Sequence, residues 1–331
     1  MENSVERESY ALTAGLALGL VTLGQGESPA GLRDLQLPDT LHYYMVGGNK
    51  RPLTGSQKEK YKLLSFQVRE GDHVNIDVTA PGASLALGLM FFNTDNRAVA
   101  EWMDPPNTRY LLDLVRPDLL LLRTIARGLI MWSEVRPDED WLHAQFPANL
   151  RFDIEMGATV TDSAEVDHEA ITQAYCNIIA GSCFSIGLKY AGTENPVAFK
   201  TLRRALKLFL GFPGKYVGEF AGRTTIESSL MLILVSISLV CAGSGDLEIL
   251  RIIRYLRSRI GPTHHQVTYG SHMAIHMSLG LLYLGAGRYT ISKTPEAVAA
   301  LVCAFFPKFP IHSNDNRLVA ILDSNSNWIF L

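Results

Sequence analysis

Residues 14–26 read AGLALGLVTLGQG, and residues 275–287 read IHMSLGLLYLGAG. Superposed on Gly19 and Gly280, both stretches carry glycine five residues later, at Gly24 and Gly285, and again seven later, at Gly26 and Gly287. The same frame fits Gly187, Gly192 and Glu194, then Ser238, Gly243 and Gly245, and more loosely Gly88, Asn93 and Asp95. Each copy is an apolar helix with small residues on one side, closed by a turn rich in Gly, Asn or Asp. Self-similarity of this kind is the signature of a repeat architecture.

The anchors 19, 88, 187, 238 and 280 are spaced unevenly, and the shortest interval, 42 residues, is the length of a helix–turn–helix unit. The longer intervals therefore hold insertions. After each turn the chain reads as a second, amphipathic helix. Asn195 is a good N-cap, Pro196 a good first residue, and Gly211 with Pro213 a stop. Between them Leu202, Ala205, Leu206 and Phe209 share one face, and Lys200, Arg203, Arg204 and Lys207 the other. Asp246 and Glu248 open the next such helix, and Arg254, Arg257 and Arg259 close it before Gly261-Pro262. A third starts at Thr294-Pro295-Glu296 and runs to Phe306.

Glycines inside the first helix of a pair, such as Gly15 and Gly19, cost about 1 kcal/mol each relative to alanine. They make sense where helix backbones approach closely, as in repeats stacked side by side. The expected fold is an all-α solenoid or α-toroid with stability shared between neighbours.

Three stretches break the repeat. Residues 47–62 are basic and loop-like, and residues 156–169 polar and acidic. Residues 66–79 alternate, with Val74, Ile76 and Val78 on one side, and predict a small β-hairpin insertion. Residues 117–132 predict a further long helix, starting at its proline.

Composition narrows the function. The chain has 331 residues, 47% hydrophobic and 19% charged, with 30 Lys and Arg against 33 Asp and Glu. Charge this sparse and balanced argues against disorder, and gives no electrostatic footprint for nucleic acid or an anionic membrane. Cys176, Cys183, Cys241 and Cys303 have no CxxC spacing, which disfavours a zinc knuckle and suits a reducing compartment. The longest apolar run, residues 230–242, reads as a buried core helix, since a membrane span needs about 20 residues.

Chemical motifs are weak. His272 and His276 have the i, i+4 spacing of a helical zinc site, but Met273 stands where a metallohydrolase carries its general-base Glu. A metal-dependent hydrolase using this pair is the alternative of a different class, and packed core histidines are the reading preferred. The G-x-G turns follow a helix, whereas phosphate loops follow a strand and open a helix. They read as glycine C-caps in the left-handed region. No catalytic set, cofactor site or metal site is expected.

Several longer strings carry a resemblance. Residues 41–49 (LHYYMVGGN), 69–84 (REGDHVNIDVTAPGAS), 95–104 (DNRAVAEWMD), 110–128 (YLLDLVRPDLLLLRTIARG), 277–291 (MSLGLLYLGAGRYTI) and 307–318 (PKFPIHSNDNRL) resemble the proteasome/cyclosome repeats. They look most like those in the largest subunit of the anaphase-promoting complex. The strings near His42 and Asn314 favour that family over the scaffold subunits of the proteasome regulatory particle, the alternative in the same class. The resemblance covers about residues 8–317 and ends at a divergent tail, 318–331. It implies a piece of a longer protein, with a repeat array over 1–317. Repeat cores are expected near 10–27, 80–96, 176–195, 230–246 and 270–288, with insertions at 47–79 and 133–169. It also implies a non-catalytic scaffold in a ubiquitin ligase that drives exit from mitosis, in nucleus and cytoplasm. The implied partners are a cullin–RING module, a substrate co-receptor subunit and tetratricopeptide subunits, with no nucleic acid and no membrane.

Overall fold

Helices start where the capping chemistry allows. In the computed structural model, which describes residues 2–47, 69–70, 73–108, 111–112, 115–155, 168–285 and 290–312, the side chain of Asn195 accepts from the backbone N–H groups of Val197 and Ala198 at 2.9 and 3.0 Å. Asp246, Asp138 and Asn96 cap their helices the same way, and Thr268 forms a reciprocal capping box with Ser271.

Fourteen helices result among the described residues. Six are apolar inner helices: α1 (Glu2–Val21), α3 (Ile76–Met90), α5 (Pro117–Ile130), α8 (His168–Lys189), α11 (Arg223–Val240) and α13 (Tyr269–Leu282). They stack in chain order, each against the next. The outer layer comprises α2 (Leu37–Val46), α4 (Arg97–Glu101), α6 (Glu139–Ala144), α9 (Pro196–Leu210), α12 (Leu247–Arg257) and α14 (Pro295–Ala304). α2, α4, α9 and α12 each pack on the inner helix that follows them in the chain. Two short helices, α7 (Ala148–Glu155) and α10 (Tyr216–Phe220), sit in the connections. The architecture is an all-α, solenoid-like stack with the core between its layers.

α3, α8 and α11 are buried almost all round, while α9 and α12 bury one face. α8 and α11 are also long and apolar enough to cross a membrane by length and composition, more than residues 230–242 alone imply. Their neighbours in the stack cover them instead.

The long helix expected over residues 117–132 is α5, an inner helix that starts at Pro117 and stacks between α3 and α8. Two other expectations are corrected. The hairpin shrinks to Arg69–Glu70 paired antiparallel with His73–Val74. Asn75 then caps α3, so Ile76 and Val78 are helical, not strand, residues. The last outer helix ends at Ala304, two residues short of Phe306. The expected insertion at 133–169 holds α6, α7 and the first two residues of α8. Residues 48–62, 156–167 and 318–331, three of the stretches that read as loops or tail, lie outside the described residues.

The chain then turns back across the stack. α14 lies against α8 and touches α1, and the segment after it is tied to α13 by Gly270 N–H to Pro310 O at 2.8 Å. Lys308 reaches Glu8 of α1 at 2.6 Å and Asp118 of α5 at 3.4 Å. Arg116 completes the cluster, 3.3 Å from Glu8 and 2.5 Å from Asp118. Burial works against the charge on Arg116, but Asp118, Glu8 and Asp77 outweigh it and push its pKa up.

Candidate functional site

The last turn of any α-helix leaves carbonyl groups without partners. In this fold the turn of one repeat supplies them to the next. Gly24 and Gly26 have φ of 67°, which aims both N–H groups out of their own helix. They donate to Leu89 O at 3.1 Å and Met90 O at 2.9 Å, at the end of α3. Asn93 and Asp95 (φ 56° and 51°) donate to Leu129 O and Ile130 O of α5 at 2.9 and 3.0 Å. Gly192 and Glu194 (φ 65° and 52°) reach Leu239 O and Val240 O of α11 at 2.8 and 3.0 Å. Gly243 and Gly245 (φ 75° and 63°) reach Leu281 O and Leu282 O of α13 at 2.9 and 3.0 Å. The left-handed residues therefore bridge repeats, whereas a glycine C-cap would return its N–H to its own helix.

The junction from α5 to α8 is built differently. The turn after α5 is a short 3₁₀ helix, Trp132–Glu134, with no residue of positive φ. Lys189, at the end of α8, closes it from the other side: its Nζ donates to the carbonyls of Trp132, Ser133 and Val135 at 2.6, 3.0 and 2.9 Å. Burial lowers the Lys189 pKa, and Asp95 partly offsets that. At the far end, Gly285 has no such partner among the described residues, and Gly287 lies outside them.

Glycines inside the inner helices sit at backbone crossings. A Cβ on Gly15 would overlap the carbonyl of Gly82, and one on Gly19 would lie 2.9 Å from Leu89 Cβ. On Gly88 it would lie 2.8 Å from Ala126 Cα, and on Gly187 2.9 Å from Ser236 Cα. The glycine frame missed three more such contacts, Gly82 against Ala11, Gly128 against Ser185 and Gly181 against Leu121. Gly280 differs, meeting nothing within 4 Å among the described residues.

The basic faces separate into paired and free. On α9, Arg203 and Lys207 share Glu248 at 3.1 and 2.9 Å, and Arg204 pairs with Glu139. On α12, Arg251, Arg254 and Arg257 have no ion pair among the described residues, and Leu247 and Tyr255 beside them are 64% and 60% exposed. Arg259, expected to end that helix, lies past it and makes a buried two-pronged ion pair with Glu227 at 2.6 and 2.9 Å. Arg123 on α5 is 8% exposed and has neither an ion pair nor a hydrogen bond among the described residues. Burial lowers its pKa, and burial together with Arg123 lowers that of His42, which stacks on Trp102.

His272 is half-buried and His276 exposed, and no third His, Cys, Asp or Glu joins them in a ligand cluster among the described residues. The thiols of Cys176, Cys183 and Cys241 are buried in the stack. The geometry thus concentrates its unusual features at junctions between repeats.

Such a chain is a stacked helix-pair repeat protein with four of its five junctions locked backbone to backbone. It belongs to the family described as the APC1 fifth domain, which it matches over residues 1–320. It is 44% identical over 322 residues to anaphase-promoting complex subunit 1 of Mus musculus, covering 96% of this chain and 16% of that protein. It is 38% identical over 349 residues to the Arabidopsis thaliana subunit, covering 99% of the chain and 20% of the relative. It is 33% identical over 317 residues to a negative regulator of mitosis from Emericella nidulans, covering 95% and 14%. The chain thus spans 14% to 20% of the length of these three relatives.

Proposed function

We propose that the chain serves as a non-catalytic scaffold segment of the anaphase-promoting complex, a multisubunit ubiquitin ligase, and so acts in the mitotic cell cycle. The observation that carries this reading is the inter-repeat ladder. Four of the five junctions are fixed by pairs of backbone hydrogen bonds and the middle one by Lys189, so distant surface points are held at set separations. Stacked repeats present wide surfaces to other proteins, and family membership supplies the complex in which such a surface is used. Within it the scaffold holds the cullin–RING module and the substrate co-receptor relative to the tetratricopeptide subunits, in nucleus and cytoplasm. Ubiquitin transfer takes place on other chains.

The test is to express the tagged chain in dividing cells and quantify co-purifying proteins. Recovery of cullin, RING and tetratricopeptide subunits in stable ratio is expected. Recovery of chaperones alone overturns the reading.

A further inference from the structure

The outer helices α9 and α12 carry basic faces of the same kind, and the chain neutralises only the first. On α9, Arg203 and Lys207 converge on Glu248 of α12, and Arg204 pairs with Glu139 of α6. These bonds occupy both carboxylate oxygens of Glu248, the one acidic residue on α12. Arg251, Arg254 and Arg257 are left with no carboxylate partner among the described residues. They follow one another at intervals of three, and like charges at that spacing disfavour the helix that carries them.

Leu247, Arg251, Arg254 and Ser258 fall at i, i+4, i+7 and i+11 and are all exposed. They form one stripe about 16 Å long, on the face opposite the buried Ile249, Ile253 and Leu256. Leu247 at its start is 64% exposed, and Tyr255 on its border 60%. Arg254 and Arg257 complement the macrodipole in the last turn. That role explains neither Arg251 nor two large apolar side chains held in solvent.

Charge selects the occupant. The chain as a whole has a net charge of −3, and the stripe spans about three turns of helix. A nucleic-acid backbone or a lipid surface draws on a broader positive field than this. Guanidinium groups pair with carboxylates through two-pronged hydrogen bonds, and Arg and Tyr are the residues that dominate protein interfaces. Carboxylates beside one large apolar side chain match the stripe in both charge and hydrophobicity.

We propose that the exposed face of α12 docks an acidic segment of a partner protein, with carboxylates paired to Arg251 and Arg254 and one large apolar side chain packed on Tyr255. Arg257 adds to the field from one flank. This deepens the scaffold reading and rests on it for the source of the segment, another subunit of the complex.

The test places a photo-crosslinking benzoylphenylalanine at Leu247 of the full 331-residue chain in dividing cells. Cross-links mapped by mass spectrometry are expected to fall in one acidic segment of one protein, and a synthetic peptide of that segment to bind the purified chain. Arg251→Glu combined with Arg254→Glu is expected to weaken the peptide about tenfold or more, and a peptide with lysines for its carboxylates to recover binding to that variant. Tyr255→Ala probes the same face without a charge change and is expected to cost about tenfold as well. Lys200→Glu, an exposed reversal on α9, is expected to stay within about twofold of wild type. Circular dichroism and melting curves establish that the variants are folded. Cross-links that are absent, scattered over many proteins, or made to nucleic acid or lipid overturn the proposal. So does a segment without carboxylates, or peptide binding that the α12 variants leave unchanged. Recovery of anaphase-promoting complex subunits with no single cross-linked segment sinks the docking face and leaves the scaffold reading standing. A single acidic segment from an unrelated protein that passes the peptide test does the reverse.

Discussion

Gly88 of α3 lies so close to Ala126 of α5 that a Cβ at Gly88 would be 2.8 Å from the Ala126 Cα. Two opposing terms act on Gly88→Ala. Helix propensity favours alanine by about 1 kcal/mol. Forcing two helix backbones apart in a packed core costs about 1–3 kcal/mol. The obstruction is main chain and cannot swing away, so the packing cost is expected to win, lowering stability by about 1–2 kcal/mol. Gly280→Ala is the control. It sits in a helix with nothing within 4 Å of an added Cβ among the described residues, and is expected to gain up to about 1 kcal/mol. Urea denaturation of the two variants measures both signs, and a gain in Gly88→Ala would refute the close crossing.

At Gly24 the constraint is backbone conformation, not space. Its φ is 67°, and the nearest atom to an added Cβ is Phe92 O at an ordinary 3.8 Å. Asparagine tolerates this left-handed region better than most residues, and Asn93 occupies it at the equivalent turn. Gly24→Asn is expected to cost a few tenths of a kcal/mol, and Gly24→Val about 1–2 kcal/mol. The readout is protection of the Gly26 amide, which donates to Met90 O. Hydrogen exchange there should accelerate in the valine variant and stay near wild type in the asparagine one.

The sequence carries these turns plainly, because glycine five and seven residues after an anchor reports φ. It does not report where the N–H groups point, and the ladder to the next helix is visible only in the fold. α5 falls outside the sequence repeat for a related reason. Its anchor, Gly128, is present, but Ser133 and Val135 stand where the frame expects Gly, Asn or Asp. Lys189 closes this junction from the opposite side, donating to the turn's own carbonyls from 54 to 57 residues away, beyond any local pattern. A cavity where the N-terminal ends of α5, α8 and α11 meet is equally hidden. One of its walls comes from residues 307–309, fixed by Lys308 reaching back 300 positions to Glu8. The start of α3 mimics a strand because Val74, Ile76 and Val78 alternate in sequence while Asn75 caps a helix between them.

Two buried arginines give opposite predictions. Arg259 and Glu227 are both nearly buried and satisfy one another through two hydrogen bonds. Glu227→Gln leaves the Arg259 charge uncompensated and is expected to cost about 3 kcal/mol. Arg123 has no counterion to lose among the described residues. Replacing it by methionine keeps most of the stem volume and removes an unpaired buried charge, so Arg123→Met is expected to raise stability by about 1 kcal/mol. Thermal melts of the two variants should move in opposite directions. A loss of stability in Arg123→Met would mean that the guanidinium has a partner in solution.

The buried thiols make stability fall in alkali. Burial pushes Cys176 and Cys241 up to about 12 from an ordinary 9.0, with Asp246 and Glu194 adding to the effect at Cys241, and pushes Cys183 up as well. Above pH 9 the unfolded chain releases thiol protons that the folded chain keeps. The unfolded state then binds fewer protons, so the free energy of unfolding decreases as pH rises. The contribution is fully present below pH 9 and is lost progressively toward the folded-state values. Each thiol adds a slope of about 1.4 kcal/mol per pH unit in that window. Cys183→Ala removes one such slope, whatever it costs in packing. Urea midpoints taken between about pH 8 and 10.5 should therefore converge for the variant and wild type as pH rises. Two lines that stay parallel would show that Cys183 titrates alike in the folded and unfolded chains.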